Sequence, residues 1–414
     1  MSPERVFQIL TTAGLIAGGW LYGDYLKKSM GTRSGLEEAA TLRAENSELT
    51  QRVDELGGEL AQVRSMLSKG PYPIPDDLVA WIEKDYNMVF LKAPDVRLAS
   101  PATMRNAAET NLRFVHGDNG LEEENLAWEL IGLLPPNHRL LGQMIMINSS
   151  VKGIFDLTKE QILISENFDP VSVPDRSVLA RLLAQQLSFQ NHPQKKWLNR
   201  DEWQAWQALH VGSSGALSAR FLRRNSAADE AEYQDPEPLR EQLLNDLPPA
   251  IQGFSNFPYM DGADYSRFFY IDSREAWAKM FLNPAKTTAE ILHPNRDPIV
   301  LREITFAESP DPLKSSDQLG ELGLRLWLEP FAGVLEAGPL AEEWRGDRYE
   351  VRERDQKLSL TWHVEMATEK AARSLIAEIE RTLLTPLRSV QPDRDIQLSQ
   401  KGMRVTFSNS PKTP

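Results

Sequence analysis

The residues best placed to do chemistry lie on a predicted helix over residues 178–190, with the sequence VLARLLAQQLSFQ. Arg181 and Gln185 are four residues apart and therefore share one helix face, and Leu182 follows the first of them. Two histidines at that spacing, with a glutamate after the first, bind zinc and activate its water. A guanidinium repels zinc, a carboxamide is a poor ligand and a leucine accepts no proton. The helix therefore has the positions of a zinc site without its chemistry.

This stretch resembles the active-site helix of gluzincin-type metallopeptidases, in which the pattern reads V-L-A-H-E-L-x-H-A-L-x-x-Q. The third zinc ligand of that family is a glutamate in the pattern A-L-x-E-G-x-A on a following helix. Residues 208–214 read ALHVGSS, so Val211 stands where the resemblance implies the glutamate. Together with Arg181, Leu182 and Gln185, it is one of four changed positions. The resemblance therefore implies a pseudopeptidase with no catalytic residue, no bound metal and no cofactor.

Three further segments resemble the same family in their order and spacing. Residues 256–262 read NFPYMDG, residues 287–294 read TTAEILHP and residues 344–349 read WRGDRY. They are similar to the family segments F-P-Y-x-x-G, S/T-T-E-Q-I-L-H-P and W-x-G-D-R-Y. The resemblance covers roughly residues 95–385, and it implies a zincin-like α+β body that is mainly helical.

These segments contribute Tyr259 and His293 as candidate cleft residues. Each could bind a peptide or stabilise an oxyanion in the former substrate cleft. Alternatively, the Tyr259 ring packs while its hydroxyl caps a loop, and His293 bonds the backbone before Pro294. We interpret Asp347 and Arg348 as a pair that fixes a loop.

Histidines and tryptophans near the degenerate helix are weaker candidates. His192 lies about two turns beyond Gln185, and His210 is expected to point about 100° away from Val211 on its helix. We therefore expect neither histidine to rebuild a metal site. Three tryptophans nearby are interpreted as core or as the wall of the cleft, namely Trp197, Trp203 and Trp206.

Two short strands are predicted over residues 153–156 and 161–164, with sequences GIFD and QILI. A turn over residues 157–160 joins them. The resemblance implies that such a strand lies at a sheet edge above the degenerate helix, where it can align a peptide by strand addition. Pro174 and Asp175 precede that helix, and Asp175 is its candidate cap.

The composition excludes several classes of function. The chain of 414 residues contains no cysteine, so disulfides, thiol catalysis and cysteine zinc sites are excluded. Its formal net charge of −13 argues against a general nucleic-acid binder, which needs a basic surface. We therefore expect no nucleic-acid partner.

Residues 6–26 predict an uncleaved transmembrane helix and thus a lipid-bilayer partner. A cleaved signal peptide is the main alternative. Lys27, Lys28 and Arg33 outnumber Arg5, which by the positive-inside rule favours a body in the cytoplasm. Peptidase-like domains behind such a segment are more often exported. We therefore expect a single-pass protein of the cell membrane with an extracytoplasmic body.

A coiled coil is predicted over residues 35–69. Its seam consists of two heptad series, Leu42, Leu49, Leu56 and Val63 and then Asn46, Val53, Leu60 and Leu67. Asparagine at one a position with leucine at most d positions favours a parallel pair of chains, and therefore a homodimer. The alternative is a single amphipathic helix folded on the body.

The chain is expected to contain five segments: a membrane anchor over 1–30, the coiled-coil stalk over 35–69, a Pro-rich linker over 70–75, the pseudopeptidase body over 76–385, and a C-terminal hairpin and tail over 386–414. An acidic stretch over 225–238 is interpreted as a mobile insertion. These features predict a non-catalytic, membrane-anchored binding or scaffold protein whose cleft could hold a peptide or protein partner. The alternative is an active hydrolase with relocated catalytic residues.

Overall fold

The computed structural model describes residues 42–43, 45–53, 55, 71–193, 196–225 and 237–412. These residues form a mainly helical α+β protein with two sheets, which confirms the coarse fold class. The helices are α1 (Asp76–Tyr86), α2 (Pro101–His116), α3 (Gly120–Ile131), α4 (Leu140–Ser149), α5 (Val173–Asn191), α6 (Arg200–Asn225), α7 (Pro238–Asn245), α8 (Pro249–Asn256), α9 (Asp261–Asp272), α10 (Arg274–Leu282), α11 (Thr288–Leu292), α12 (Gly320–Ala332), α13 (Val334–Ala341), α14 (Glu369–Glu378) and α15 (Leu384–Val390). The strands are β1 (Val96–Ala99), β2 (Gly153–Asp156), β3 (Gln161–Ser165), β4 (Leu313–Asp317), β5 (Trp344–Arg354), β6 (Lys357–Met366), β7 (Arg394–Lys401) and β8 (Arg404–Pro411).

The smaller sheet has the strand order β1-β3-β2. β1 runs parallel to the central strand β3, whereas β2 is antiparallel to it and forms one edge. The two strands predicted from the sequence are therefore present at the expected residues. Ile162 and Ile164 of β3 are fully buried beneath the sheet, which fixes its apolar face.

The degenerate motif lies on α5, a helix of 19 residues that is buried along most of its length. Ser172 caps its N-terminus, because its hydroxyl accepts a hydrogen bond from the Asp175 N–H at 3.3 Å. The prediction that Asp175 caps the helix is therefore wrong. The Asp175 carboxylate instead accepts hydrogen bonds from the Asp169 N–H and the Lys152 ammonium.

Helix α6 runs antiparallel to α5, and small polar residues join the two. The Ser218 hydroxyl donates to the Ser177 carbonyl at 3.0 Å, and the Gln185 amide donates to the Ser214 hydroxyl at 3.2 Å. Residues with higher numbers on α5 pair with residues of lower numbers on α6, as expected for helices that run in opposite directions. This pairing places the degenerate face of α5 opposite the middle of α6.

Helices α6 and α9 cross with their backbones in contact at two glycines. A Cβ atom on Gly212 would overlap the carbonyl group of Gly262, and a Cβ on Gly262 would overlap the carbonyl oxygen of Ala208. Any larger residue at either position would push the helices apart. Both glycines belong to segments that carry the family resemblance, so these two segments meet at this crossing.

The larger sheet has the strand order β4-β5-β6-β8-β7, and its neighbouring strands are all antiparallel. The predicted C-terminal hairpin is present as β7 and β8, and β8 pairs with β6. Trp362 and Phe407 pack against Trp327 of α12, with ring centroids 4.9 and 5.4 Å apart. The hairpin is thus joined to the body through both the sheet and the core.

Two buried aspartates connect α6 to the rest of the fold. Asp201, in the first turn of α6, accepts hydrogen bonds from the N–H and the hydroxyl of Thr288 on α11. Asp347 of β5 accepts from the N–H groups of Leu319 and Gly320 at 2.9 Å and from the indoles of Trp344 and Trp362. Burial raises the pKa of Asp201 to about 7 and that of Asp347 to about 6.

The helical segment that follows β6 is interrupted. α14 passes at Ile379–Leu383 into a π-helical turn, and α15 follows. Pro386 lies in the first turn of α15 and has no N–H to donate to the preceding turn, which accounts for wider hydrogen bonding there.

The membrane prediction requires correction. Among the residues that the structure describes, no helix is both long enough and apolar enough to cross a bilayer. The longest are α5 and α6. α5 contains charged residues within its length, and α6 contains them at both ends. The predicted span over residues 6–26 lies outside the described residues. The prediction of a transmembrane, single-pass protein of the cell membrane is therefore wrong for the described part of the chain, and we do not retain it.

Most of the predicted coiled coil also lies outside the described residues. Residues 42–43, 45–53 and 55 are helical, as the heptads require. Leu42 and Leu49 are 37% and 40% exposed in the single chain. The coiled coil and the homodimer therefore stay predictions. Of the stretch over 225–238 interpreted as an insertion, residues 226–236 also fall outside the described part.

We expect Asp201→Asn to weaken the pH dependence of stability between about pH 4 and pH 7. The folded-state pKa of Asp201 is raised to about 7, so the unfolded chain loses this proton first as pH rises. Wild-type stability should therefore fall across this window, by at most about 1.4 kcal/mol per pH unit for this group. Denaturant unfolding at several pH values measures the slope. An unchanged slope in the variant would contradict the assignment.

The matched variant Asp347→Asn should behave differently. Each Asp347 oxygen accepts two donors, so an amide nitrogen in either orientation would face two donors. An unsatisfied buried donor costs about 1–3 kcal/mol. We therefore expect a loss of stability at every pH, whereas Asp201→Asn keeps its bonds once the Gln318 amide reverses.

Candidate functional site

A cavity lies above the degenerate helix, between α2, the edge strand β2, α5, α6 and the loop before α9. The volume of the cavity is about 160 Å³, which is room for roughly ten waters. Apolar and aromatic side chains form much of its surface. The residues that line it include Asn111, Gly153, Ile154, Phe155, Arg181, Leu182, Gln185, Arg200, Trp203, Gln204, Trp206, His210, Val211, Arg240, Ser255 and Tyr259.

The four degenerate positions, Arg181, Leu182, Gln185 and Val211, all line this cavity. Gln185 is bonded to Ser214, whose hydroxyl in turn donates to the Val211 carbonyl at 2.8 Å. The positions that the resemblance assigns to three ligands and a base therefore share one space.

Arg181 forms a buried ion pair at the first of these positions. Its Nη2 donates to Glu237 Oε2 at 2.9 Å, and each side chain is only 9% exposed. The other oxygen of Glu237 accepts from the Lys152 N–H at 3.2 Å. One carboxylate thus connects the degenerate helix to the residue before the edge strand. A permanently cationic group cannot ligate zinc, so the Arg181 side chain cannot serve as a metal ligand.

The edge strand β2 presents peptide groups towards the cavity. The Lys152 carbonyl accepts from the Ser165 N–H across the ladder, whereas the Phe155 carbonyl accepts from the Asn111 side chain at 2.8 Å. Alternation in an antiparallel pair then points the N–H and C=O of Gly153, and the N–H of Phe155, away from β3. Among the described residues, no side chain or loop bonds to these outward groups of Gly153.

Gly153 also brings the edge strand directly over the degenerate position 182. A Cβ atom built at Gly153 would lie 2.6 Å from Leu182 Cδ1. The close approach therefore needs a glycine here. It places the outward peptide groups of β2 next to the helix face that carries Arg181 and Gln185.

Tyr259 is part of the cavity, as one reading of the sequence predicts. The guanidinium carbon of Arg240 lies 4.5 Å from its ring centroid, and that of Arg181 lies 5.8 Å away. Both distances suit cation–π contacts. Arg240 also donates to the Ser255 carbonyl at 3.1 Å, which fixes its side chain beside the ring.

His293 lies elsewhere. Its Nε2 is 2.7 Å from Glu321 Oε1, so it contacts a buried carboxylate of α12, and it is absent from the cavity lining. Its predicted bond to the backbone before Pro294 is replaced by this side-chain contact. Asp347 does fix a loop, but its partners are two backbone N–H groups and two indoles. Arg348 instead donates to the Ser316 hydroxyl at 3.0 Å.

Arg200 closes the opposite side of the cavity and was not predicted from the sequence. Its Nη1 donates to both oxygens of Glu124 at 2.7 and 2.8 Å. It also lies 5.1 Å from the ring centroids of Trp128 and Phe254. Burial raises the pKa of Glu124 to about 7, although Arg200 acts to lower it. The two side chains are only 5% and 4% exposed, so this pair mainly fixes the wall of the cavity.

The predicted tryptophan cluster forms both core and cavity wall. Trp203 and Trp206 stack with centroids 5.2 Å apart, and Trp197 packs edge-on against both. Trp203 and Trp206 line the cavity. The cluster therefore lies at the border of the core and the cavity, and its alternative role as a platform for a ligand stays a prediction.

His210, one of the two nearby histidines, contacts a buried serine. Ser188 Oγ and His210 Nδ1 lie 2.8 Å apart, and Ser188 is fully buried. Burial lowers the pKa of His210 to about 3 and also lowers the pKa of His192. Both rings pack against Phe281. Among the described residues, no group of three or more acidic or histidine side chains could hold a metal.

Arg240, Glu237 and Arg200 were missed because nothing local marks them. Glu237 is 56 residues from Arg181, and Arg200 is 76 residues from Glu124. Glu237 also lies within the stretch over 225–238 that was interpreted as a mobile insertion, although its side chain is only 9% exposed. Only the folded arrangement brings these charges to the cavity.

Comparisons with protein-family models, with curated proteins and with solved structures find no match.

We expect the protein to bind no zinc, and a quadruple variant to gain zinc binding. The variant combines Arg181→His, Leu182→Glu, Gln185→His and Val211→Glu, because three ligands hold the metal and a base activates its water. Elemental analysis and zinc-dependent thermal shifts test both proteins. Each single substitution, as a control, should bind weakly or not at all.

One zinc per chain in the wild type would contradict the loss of the metal site. A quadruple variant that keeps its circular dichroism but binds no zinc well above micromolar concentration would contradict the inherited ligand geometry.

Proposed function

We propose that this chain is a non-catalytic binding protein on a metallopeptidase-like scaffold, and that its cavity takes an extended peptide. The proposal rests chiefly on one observation. The four degenerate positions and the outward peptide groups of β2 face the same cavity. A cleft of that form keeps the means to align a peptide and lacks the groups that would cleave it.

The edge strand supplies recognition of the main chain. Gly153 offers one N–H and one C=O that point away from β3, and Phe155 offers one N–H. An added strand would bond to these groups and insert alternate side chains into the cavity. The Asn111 side chain, which bonds to Phe155 O and Leu157 N, limits the length of that pairing.

The ion pair at the former metal position supports binding without catalysis. Arg181 keeps a positive charge where a zinc ligand would stand, but its guanidinium is bonded to Glu237 and cannot activate water. Leu182 provides no base. The scaffold therefore fits a role in which a bound peptide stays intact.

We also propose that the stalk joins two copies of the chain, because the helical residues 42–43 and 45–53 expose heptad leucines. Leu42 and Leu49 would be covered in a parallel pair, with Asn46 facing its equivalent. Two binding cavities on one dimer would give avidity for a repeated or dimeric partner.

The peptide proposal predicts selective effects of N-methylation. A hexapeptide binder, selected from an N-acetylated random library on the immobilised full chain, should lose at least about tenfold affinity when one peptide nitrogen that faces β2 is methylated. Methylation of the next residue should have little effect, because its N–H points away. Calorimetry measures both, and mass spectrometry should find no cleavage.

The variant Val211→Phe, which adds bulk inside the cavity, should reduce this binding. Val334→Phe is the control, because Val334 is 60% exposed on α13. Equal sensitivity at every methylated position, or binding unaffected by Val211→Phe, would refute strand addition in this cavity.

The stalk proposal predicts that fragment 35–414 is a dimer in light scattering and that removal of residues 35–69 leaves a monomer. Asn46→Leu should raise the thermal stability of the stalk and loosen its oligomer state, because an amide is replaced by apolar packing. A monomeric 35–414 fragment at tens of micromolar would exclude the dimer.

A further inference from the structure

Three arginines line the cavity of an otherwise acidic protein. Arg181, Arg200 and Arg240 line it, and its described lining includes no aspartate or glutamate. The whole chain has a formal net charge of −13. Cations on an apolar, partly enclosed surface concentrate an anion of matching size.

The three arginines are not equivalent. Arg181 is paired with Glu237, and Arg200 with Glu124. Arg240 instead contacts the Tyr259 ring and donates to the Ser255 carbonyl, and within the described ranges it forms no ion pair with a carboxylate. A ring and a neutral carbonyl hold a guanidinium in place without cancelling its charge.

Two further polar groups of lining residues have no partner. The Trp206 indole N–H and the Ser255 hydroxyl are buried without a hydrogen bond among the described residues. Trp206 is only 5% exposed. A buried donor without a partner is costly, and an oxygen-rich ligand could supply the missing acceptor.

We infer that Arg240 is the specificity-determining residue of the cavity and that it binds a carboxylate of the ligand beside Tyr259. The inference rests on the proposed function and names the chemistry of its ligand. A single guanidinium with donors left over suits a monoanionic carboxylate, which accepts two parallel N–H bonds. The carboxylate could be a peptide C-terminus or an acidic side chain.

The first test compares phenylacetate with phenylacetamide, which differ little in shape but differ in charge. Both are titrated into the full chain by calorimetry, with tryptophan fluorescence as a second readout because Trp203 and Trp206 line the cavity. We expect the acid to bind about tenfold more tightly, as one charge-assisted contact predicts. Raising the salt concentration should reduce that preference.

Three variants assign the preference to a residue. Arg240→Gln should abolish the preference, because acid and amide then meet the same neutral side chain, and an unchanged circular dichroism spectrum shows that the fold is intact. Arg240→Lys should keep part of the preference, because it keeps the charge but loses the planar fork. Arg267→Gln is the matched control, since Arg267 is a 61% exposed arginine paired with Asp264.

The second test separates the two sources of the carboxylate. The peptides Ac-Ala-Ala-Phe and Ac-Ala-Glu-Ala-amide are each compared with a neutral counterpart, Ac-Ala-Ala-Phe-amide and Ac-Ala-Gln-Ala-amide. A preference only in the first pair identifies a C-terminus, and a preference only in the second identifies an acidic side chain. Either outcome supports the inference if Arg240→Gln removes it.

Equal binding of acid and amide by the wild type would overturn the inference, as would a preference that survives Arg240→Gln. Absence of any acid binding would overturn it as well. Neutral peptides that bind with the predicted N-methylation pattern would then leave the proposed peptide function standing. If no peptide binds either, both fail.

Discussion

The site depends on a contact between two backbones. Helices α6 and α9 touch at Gly212 and Gly262, where neither residue has a side chain to separate them. Val211 precedes the first glycine, and Tyr259 lies three residues before the second. The crossing therefore determines how far these two cavity residues stand from α5. The buried carboxylate of Asp201 fixes the start of α6 to α11. The helix is therefore held at two points, its first turn and the crossing near its middle.

The guanidinium of Arg181 stands at a position where the resemblance implies a zinc ligand. This difference alters the chemistry that is open to the cavity. A zinc ion has open coordination positions and polarises water, whereas a guanidinium is a fixed cation with directed N–H groups. Arg181 uses that charge internally, on Glu237, and Arg240 holds its charge against Tyr259. A guanidinium held in this way can recognise an anion. His210 also lines the cavity, and its Nδ1 is occupied by the buried Ser188 hydroxyl at 2.8 Å.

The sequence predicted those features that depend on local spacing. The strands β2 and β3 and the course of α5 follow from patterns a few residues long, whereas the meeting of position 211 with positions 181, 182 and 185 was implied only by the family resemblance. The ion pairs do not follow from local patterns, because Arg181 and Glu237 are 56 residues apart and only the folded chain joins them. The sequence left the same two interpretations open for Tyr259 and His293, and their contacts distinguish them. The Tyr259 ring faces the cavity, whereas the His293 ring contacts Glu321. The same limit applies to Asp175, which loses the capping role because Ser172 precedes the helix with a better-placed oxygen.

The segments that carry the family resemblance away from the cavity have roles in folding. Thr288 bonds to Asp201, Trp344 bonds to Asp347, and Gly262 allows the helix crossing. None of these contacts involves a metal, and each of them positions a helix or a strand. Substitutions in these buried segments would leave donors unsatisfied or force backbones apart. Positions 181 and 185 are different, because their side chains line the cavity and also bond to Glu237 and Ser214. The residues that shape the cavity surface therefore also help to hold its walls together.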